Sequence, residues 1–333
     1  MYIDWVHHYL PRIFGLLAII VNPFFVFLVF KEKISTFGNY RYLLLYFATF
    51  NVIYSILDIL VPIELKGYRY CFFVFLVDGA FYESSPFNHF MLTARCSLVG
   101  FSYAILISHF IYRYLIIKGS DYTDKKFRRF MALSFALCLL YFAIWFATCE
   151  WLTPSDKVND YIKDDFLDYY GDNSSNVNII FIIYNEHSFE NILASYSAIL
   201  ILVVFSTLSV ALYLVLGYKI MSTLRNVSSS LSICTTKMQM QLLKTLIVQT
   251  VIPIFISYLP CFLSWFSPAF CMDMGRPFNK FNVVTFSAFP FLDPIAIVIC
   301  LPVLRNRFLS LFLSQKSVDI ATTSNPFTQV SSV

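Results

Sequence analysis

Seven long apolar stretches dominate the chain, at 13–30, 42–61, 91–117, 130–152, 192–217, 245–266 and 281–304, each bounded by charged or turn-forming residues. Each is close to the roughly 20 apolar residues a helix needs to cross hydrocarbon. Inside a bilayer every backbone amide must find a partner within the chain, so runs of this length form helices. The expected fold is an all-α membrane protein, a bundle of seven transmembrane helices. Composition agrees: 13% of the 333 residues are charged and 58% are hydrophobic, whereas a soluble domain carries about 25% charge. A cytosolic enzyme, a secreted disulfide module and a disordered regulator are excluded on that ground. The first run, preceded only by residues 1–12, is long enough to stay in the bilayer as a signal anchor.

Lysine and arginine set the orientation. With the N-terminus extracellular, the cytoplasmic segments hold 15 basic residues and the outer segments seven. The loop from Thr153 to Asn191 then faces outward, carries many aspartates and contains Asn173-Ser174-Ser175, a glycosylation acceptor. A second acceptor, Asn226-Val227-Ser228, falls inside and should stay bare. Two shorter apolar runs, Cys71 to Val77 and Ile179 to Tyr184, are too short to span and read as loop segments packed on the outer helix ends. Residues 305–316 place Phe308, Leu311 and Phe312 on one side of an amphipathic juxtamembrane helix, and 317–333 form a disordered, Ser/Thr-rich cytoplasmic tail. The ending Ser331-Ser332-Val333 has the form a PDZ protein would take by strand addition.

Catalytic and cofactor chemistry find no support. Neither a Gly-rich dinucleotide loop nor a P-loop is present, the eight cysteines include no C-x-x-C pair, and the five histidines show no ligand spacing. No metal or cofactor is expected. A net charge of +4 spread thinly along the chain gives no footprint for nucleic acid.

Intramembrane ionisable residues are costly and mark function by default. Asp58, one turn from the outer end of the second helix, and Arg95, near the outer end of the third, are candidates to pair at a ligand cavity. Phe101, Tyr103 and Trp265 are candidate apolar lining, and His89 sits near the outer mouth. Asp293 lies mid-helix before Pro294, whose ring removes the bond to the carbonyl of Pro290 and bends the helix. Pro253 and Pro260, seven apart, break the sixth helix on nearly one face, a hinge candidate at Pro253 above all. Arg113, with Tyr114 after it, stands at the inner end of the third helix. It reads either as a contact for a cytoplasmic partner or as an arginine snorkelling to lipid phosphate. Lys125, Lys126, Arg128 and Arg129 form a basic cluster facing either that partner or anionic membrane lipid.

Four stretches carry a resemblance. They are Phe37-Gly38-Asn39-Tyr40-Arg41-Tyr42-Leu43-Leu44; Ala94-Arg95-Cys96-Ser97 through Gly100-Phe101-Ser102-Tyr103 to His109-Phe110-Ile111-Tyr112-Arg113-Tyr114; Gln241-Leu242-Leu243-Lys244 through Gln249-Thr250 to Pro253; and Leu292-Asp293-Pro294 with Arg305. On these the chain resembles the nematode serpentine chemoreceptors of the Str superfamily and looks closest to class J. The resemblance implies a G-protein-coupled receptor of a sensory neuron, at the plasma membrane of a cilium. Its partners would be a small odorant or pheromone-like ligand and a heterotrimeric G protein. The chain departs from rhodopsin-like receptors: no acid precedes Arg113, and the Thr153–Asn191 loop has no cysteine for the usual bridge to the third helix. Cys71, Cys149 and Cys271, with Cys96, leave several other pairings open. A seven-helix ligand-gated ion channel of inverted topology is the alternative, and the distribution of basic residues opposes it. A transporter would need an internal repeat, and a membrane protease a paired acid at matched depth; neither is found.

Overall fold

The computed structural model describes residues 5–33, 37–152, 156–227, 233–272 and 274–311. Its first helices are α1 (Trp5–Lys31) and α2 (Tyr40–Leu60), followed by strands β1 (Ile63–Tyr68) and β2 (Cys71–Leu76). Next come α3 (Pro86–Ile117), α4 (Phe127–Trp151), the short α5 (Asp156–Tyr170) and strand β3 (Ile179–Ile183). After α6 (Phe189–Val227), α7 (Ile233–Pro253) runs through a π-helical turn (Ile254–Tyr258) into α8 (Leu259–Phe266). Helix α9 (Gly275–Cys300) is followed by α10, 302–311, after Leu301 breaks the path with extended backbone.

Seven helical segments are long and apolar enough to span a membrane, the sixth running unbroken from α7 through the π turn into α8. The expected seven-helix bundle is therefore present. Helix α3 is the most deeply buried span, packed against α4 and α6, while α1 packs against α2 and α9. Large apolar side chains such as Ile20, Leu133, Leu140, Leu200 and Leu214 are exposed on the outer helix faces. In water this would be untenable; against lipid tails it costs nothing. Helix α3 begins at Pro86, five residues before the expected Met91: Ser85 Oγ accepts from the Asn88 amide at 3.1 Å and proline occupies the first turn. Arg95 is thus more than two turns inside the helix.

The two short runs read as loop segments are strands. They pair antiparallel, in the order β1-β2-β3, with Phe73 opposite Lys66 on one side and Phe181 on the other. Alternate side chains face opposite ways. Ile63, Leu65, Phe72, Val74, Ile180 and Ile182 point into the bundle core. Cys71, Phe73, Phe75, Ile179, Phe181 and Ile183 point away from it and form a second core with Val158, Ile162 and Phe166 of α5. Those three residues, each four apart, make the apolar stripe of an otherwise acidic helix. The result is a two-layer lid, a sheet under a helix, across one end of the bundle. Lys66 ties the layers together, paired with Asp165 and lying 3.9 Å from the centre of the Tyr169 ring. Tyr184 anchors the lid to α8 by donating to the Trp265 carbonyl at 2.7 Å.

Candidate functional site

Beneath the lid is a chamber of about 70 Å³. Ile63, Leu65, Phe72, Val74, Ile180 and Ile182 form its roof, and Trp145, Leu202, Trp265 and Phe286 its walls. A water takes up about 30 Å³ of liquid, and a dry cavity of about 150 Å³ admits benzene. The chamber as it stands accepts only a few heavy atoms, and a larger guest must expand it.

Among the described residues the one charged group in the wall is Arg95. It is 1% exposed, and Asp58, its ion-pair partner, is 6% exposed. The guanidinium also lies 4.2 Å from the centre of the Tyr54 ring. Arg95 Nε and Asp58 Oδ2 have no hydrogen-bond partner among the described residues. The pair expected from the sequence is therefore formed, and its Arg95 member faces an apolar space. Cys96, Cys149 and Cys261 also line the chamber as free thiols. Among the described cysteines none is in a disulfide: Cys71 is buried under α5 and Cys271 is exposed, so the outward pairings do not form.

The predicted lining residues separate. Trp265 is in the chamber wall. Tyr103 is buried outside it, stacked on Tyr258 with ring centres 4.1 Å apart and on Trp145 at 5.8 Å. Tyr258, at the end of the π turn, shares a 3.0 Å hydrogen bond with Ser102, so α3 grips the sixth span at its irregular turn. The two prolines flank that turn, Pro253 ending α7 and Pro260 opening α8. Phe101 stacks on Phe50 at 5.1 Å, away from the chamber. His89 faces Glu150 at 3.5 Å between α3 and α4, also outside it.

Sequence reasoning missed two buried asparagines. Asn22 of α1 donates to the Pro290 carbonyl at 3.0 Å and to Ala18 O at 2.9 Å, and Asn51 of α2 donates to Asn22 Oδ1 at 3.2 Å. The Pro290 carbonyl is the one Pro294 leaves without a backbone donor. Asp293 is fully buried beside it and accepts from Gln249 Nε2 of α7 at 3.4 Å. Asn22, the lone polar side chain in its apolar run, was the available signal; Asn51 shares its run with Thr49, Ser55 and Asp58.

At the end opposite the lid Arg113 is 2% exposed. Its guanidinium lies 3.5 Å from the centre of the Tyr40 ring, and Nη1 donates to Gln239 Oε1 of α7 at 3.4 Å. It does not snorkel outward, because aromatic and amide partners within the bundle hold it. Tyr114 is half-buried beneath Lys118. Lys125, Lys126, Arg128 and Arg129 are exposed on the turn into α4. Arg305 is exposed on α10, which packs on α1 through Phe308 against Phe24 and Arg307 against Glu32 at 2.9 Å. Asn173 lies at the lid end, its Oδ1 accepting from the Ser175 amide at 3.2 Å, whereas Asn226 is exposed near the far end of α6. The tail 317–333 with its Ser331-Ser332-Val333 ending, and 312–316 of the amphipathic helix, lie outside the described residues.

The lid carries a titrating group. Burial pushes the Glu64 carboxyl of β1 up to about 7, opposed by the ammonium groups of Lys280 and Lys66. Because the folded value exceeds the free value of 4.5, protonation favours the folded lid. The contribution is full below about pH 4.5 and is lost as pH rises through about 7. Hydrogen-exchange protection of β1 and β2, corrected for intrinsic rates, should fall between those values, and Glu64→Gln should flatten the profile.

Comparison with known proteins gives a consistent result. A family profile described as serpentine type 7TM GPCR chemoreceptor Srj matches residues 1–308. Serpentine receptor class J-38 of Caenorhabditis elegans is 44% identical over 305 residues, covering 91% of this chain and 92% of that one. G-protein coupled receptor str-33 of the same organism is 23% identical over 309 residues, covering 91% and 89%. Serpentine receptor class r-10 of Caenorhabditis briggsae is 24% identical over 321 residues, covering 90% and 89%.

Proposed function

Because the chain belongs to the Srj family of serpentine seven-transmembrane G-protein-coupled chemoreceptors, we propose that it senses a small, largely apolar molecule in the chamber under the lid and passes the signal to a heterotrimeric G protein at the opposite end. It is a multi-pass membrane protein of a receptor family rather than an enzyme. The observation that carries the reading is the apolar chamber with Arg95, paired to Asp58, in its wall. The N-terminus and lid face outward, at the plasma membrane of a sensory neuron and its cilium.

The chamber is smaller than most odorants, so a ligand favours conformers in which it is expanded and shifts the population toward them. Tyr103 and Tyr258 connect this region to the π turn. Backbone at a π turn is already off the regular ladder and deforms readily. Displacement there swings α7, whose far end holds Gln239 on Arg113. Release of that contact frees a guanidinium, beside the basic turn Lys125–Arg129, for the G protein.

The test is a G-protein activation assay on cells expressing the chain, with a panel of small volatile compounds. Responses should be lost in Cys149→Phe, which fills the chamber, and in Arg113→Ala, with surface display retained in both. A response that survives both at normal display overturns the reading, as does a current that persists without any G protein. Orientation has its own measurement: a glycosidase-sensitive mobility shift should disappear in Asn173→Gln and persist in Asn226→Gln. The reverse pattern would invert the topology.

A further inference from the structure

The Phe37–Leu44 stretch takes no part in the ligand chamber or in the hinge. It frames a second cavity, about 380 Å³, at the end of the bundle away from the lid. One wall is Gly38, Asn39 and Arg41 at the start of α2; the other is Tyr112 of α3 with Thr123 and Asp124 of the α3–α4 turn.

Arg41 is the unusual member. It is 7% exposed, yet it makes no ion pair among the described residues, and its Nε and Nη2 have no hydrogen-bond partner among them. The Phe30 ring, 5.6 Å from the guanidinium carbon, faces it as a cation–π partner. A permanent charge buried with open donors costs several kcal/mol unless an anion meets it. A second feature points the same way. Gly38, at φ +53°, turns the chain into α2, and Asn39 spends its side chain on the Thr123 carbonyl at 3.0 Å instead of capping the helix. The N-terminus of this 21-residue helix therefore adjoins the cavity uncapped, with its partial positive charge.

The surroundings identify the source of the anion. Tyr42, a lining residue, and Phe30 are exposed aromatic rings in edge-to-face contact, on the faces these helices turn to lipid. Lys31, Lys125, Arg128 and Arg129 are exposed on neighbouring segments. Aromatic rings and basic side chains together mark the level of phospholipid headgroups. We infer that this cavity binds the phosphate of an anionic membrane lipid, with Arg41 as its fixed donor and the α2 N-terminus behind it. Asp124, an exposed carboxylate on the same cavity, weakens the binding and restricts it to strongly anionic headgroups.

The full chain in phosphatidylcholine nanodiscs containing a small share of phosphatidylinositol bisphosphate supplies the test, with retained lipid read by native mass spectrometry. The wild type should retain the phosphoinositide in preference to phosphatidylcholine. Loss of a charged hydrogen bond in Arg41→Gln should reduce retention about tenfold or more. Asp124→Asn should raise it several-fold, and Lys163→Gln, exposed on α5 at the lid end, should change it little. Displacement by soluble inositol phosphate supports headgroup recognition. Equal displacement by inorganic phosphate at the same concentration overturns the lipid assignment and leaves free phosphate as occupant. Retention unchanged in both Arg41→Gln and Asp124→Asn overturns the site. Should Arg41→Gln fail to fold, an unchanged Asp124→Asn does so alone. Unaltered lipid retention with lost binding of a purified G protein in Arg41→Gln would assign the cavity to that partner instead.

Discussion

Asp58→Ala should be among the most damaging single substitutions in the described chain. It leaves the Arg95 guanidinium, 1% exposed, facing an apolar chamber with only the Tyr54 ring beside it. Removing one member of a buried ion pair costs about 3–5 kcal/mol, because the survivor keeps its desolvation penalty and loses its counter-charge. Arg95→Ala should cost a similar amount by exposing the converse problem at Asp58. The double variant Asp58→Leu/Arg95→Met removes both charges at nearly constant volume and should recover most of the loss. Thermal unfolding in detergent measures this directly, followed with a thiol-reactive dye that reports buried Cys71, Cys138 and Cys149 as they become accessible. A double variant as unstable as the single ones would mean that Asp58 and Arg95 matter through other partners.

Gly100 should be the least replaceable glycine. A Cβ built there would lie 2.9 Å from the Tyr141 carbonyl oxygen and 3.0 Å from the Trp145 ring. The first obstacle is backbone of α4, so α3 and α4 would have to part. Small residues at such crossings allow the close backbone approach that membrane helix packing depends on. Gly100→Ala should cost about 1–3 kcal/mol, the range for overpacking a filled interior, and Gly100→Leu more. Gly15 and Gly217 calibrate the series. At Gly15 the nearest atom, 2.9 Å away, belongs to the Ile59 side chain, and at Gly217 only Phe110 approaches, at 3.5 Å. Alanine should therefore be tolerated best at Gly217, less well at Gly15 and least at Gly100. The same melting assay ranks them. Because Trp145 also walls the chamber, Gly100→Ala should blunt ligand responses beyond its effect on display.

Much of this was legible in the sequence, for physical reasons. Lipid leaves no choice but long helices, so the seven spans stand out from hydropathy alone. Asp58 and Arg95 were found because charge at that depth demands a partner. Trp265 and the Pro253–Pro260 break were readable from residue type and spacing. The lid was not. Cys71–Leu76 and Ile179–Ile183 are apolar throughout, because α5 covers one face of the sheet and the bundle the other. A strand buried on both faces loses the period-2 alternation that reveals a half-exposed one. The stripe Val158, Ile162, Phe166 was hidden among aspartates whose charge suggested a solvated loop. The burial of Arg113 and of Arg41 was not legible for a related reason: sequence shows that a charge sits near a helix end, not whether tertiary packing encloses it.

Asn22 changes how the seventh span must behave when the receptor switches. A proline in a membrane helix frees a carbonyl that some neighbouring group must satisfy. Here the Pro290 carbonyl is held by a side chain rooted in α1, which is itself held by Asn51 of α2. The joint is therefore geared: α9 cannot flex at Pro294 without drawing on α1, and through it α2. In the switching mechanism proposed above, these three helices would move as one block, with the seam on the other side of α9. There Gln249 donates to Asp293 at 3.4 Å, and Asn282 donates to Ser264 Oγ at 2.6 Å and to the Pro260 carbonyl at 3.4 Å, so side-chain hydrogen bonds latch α9 to the sixth span.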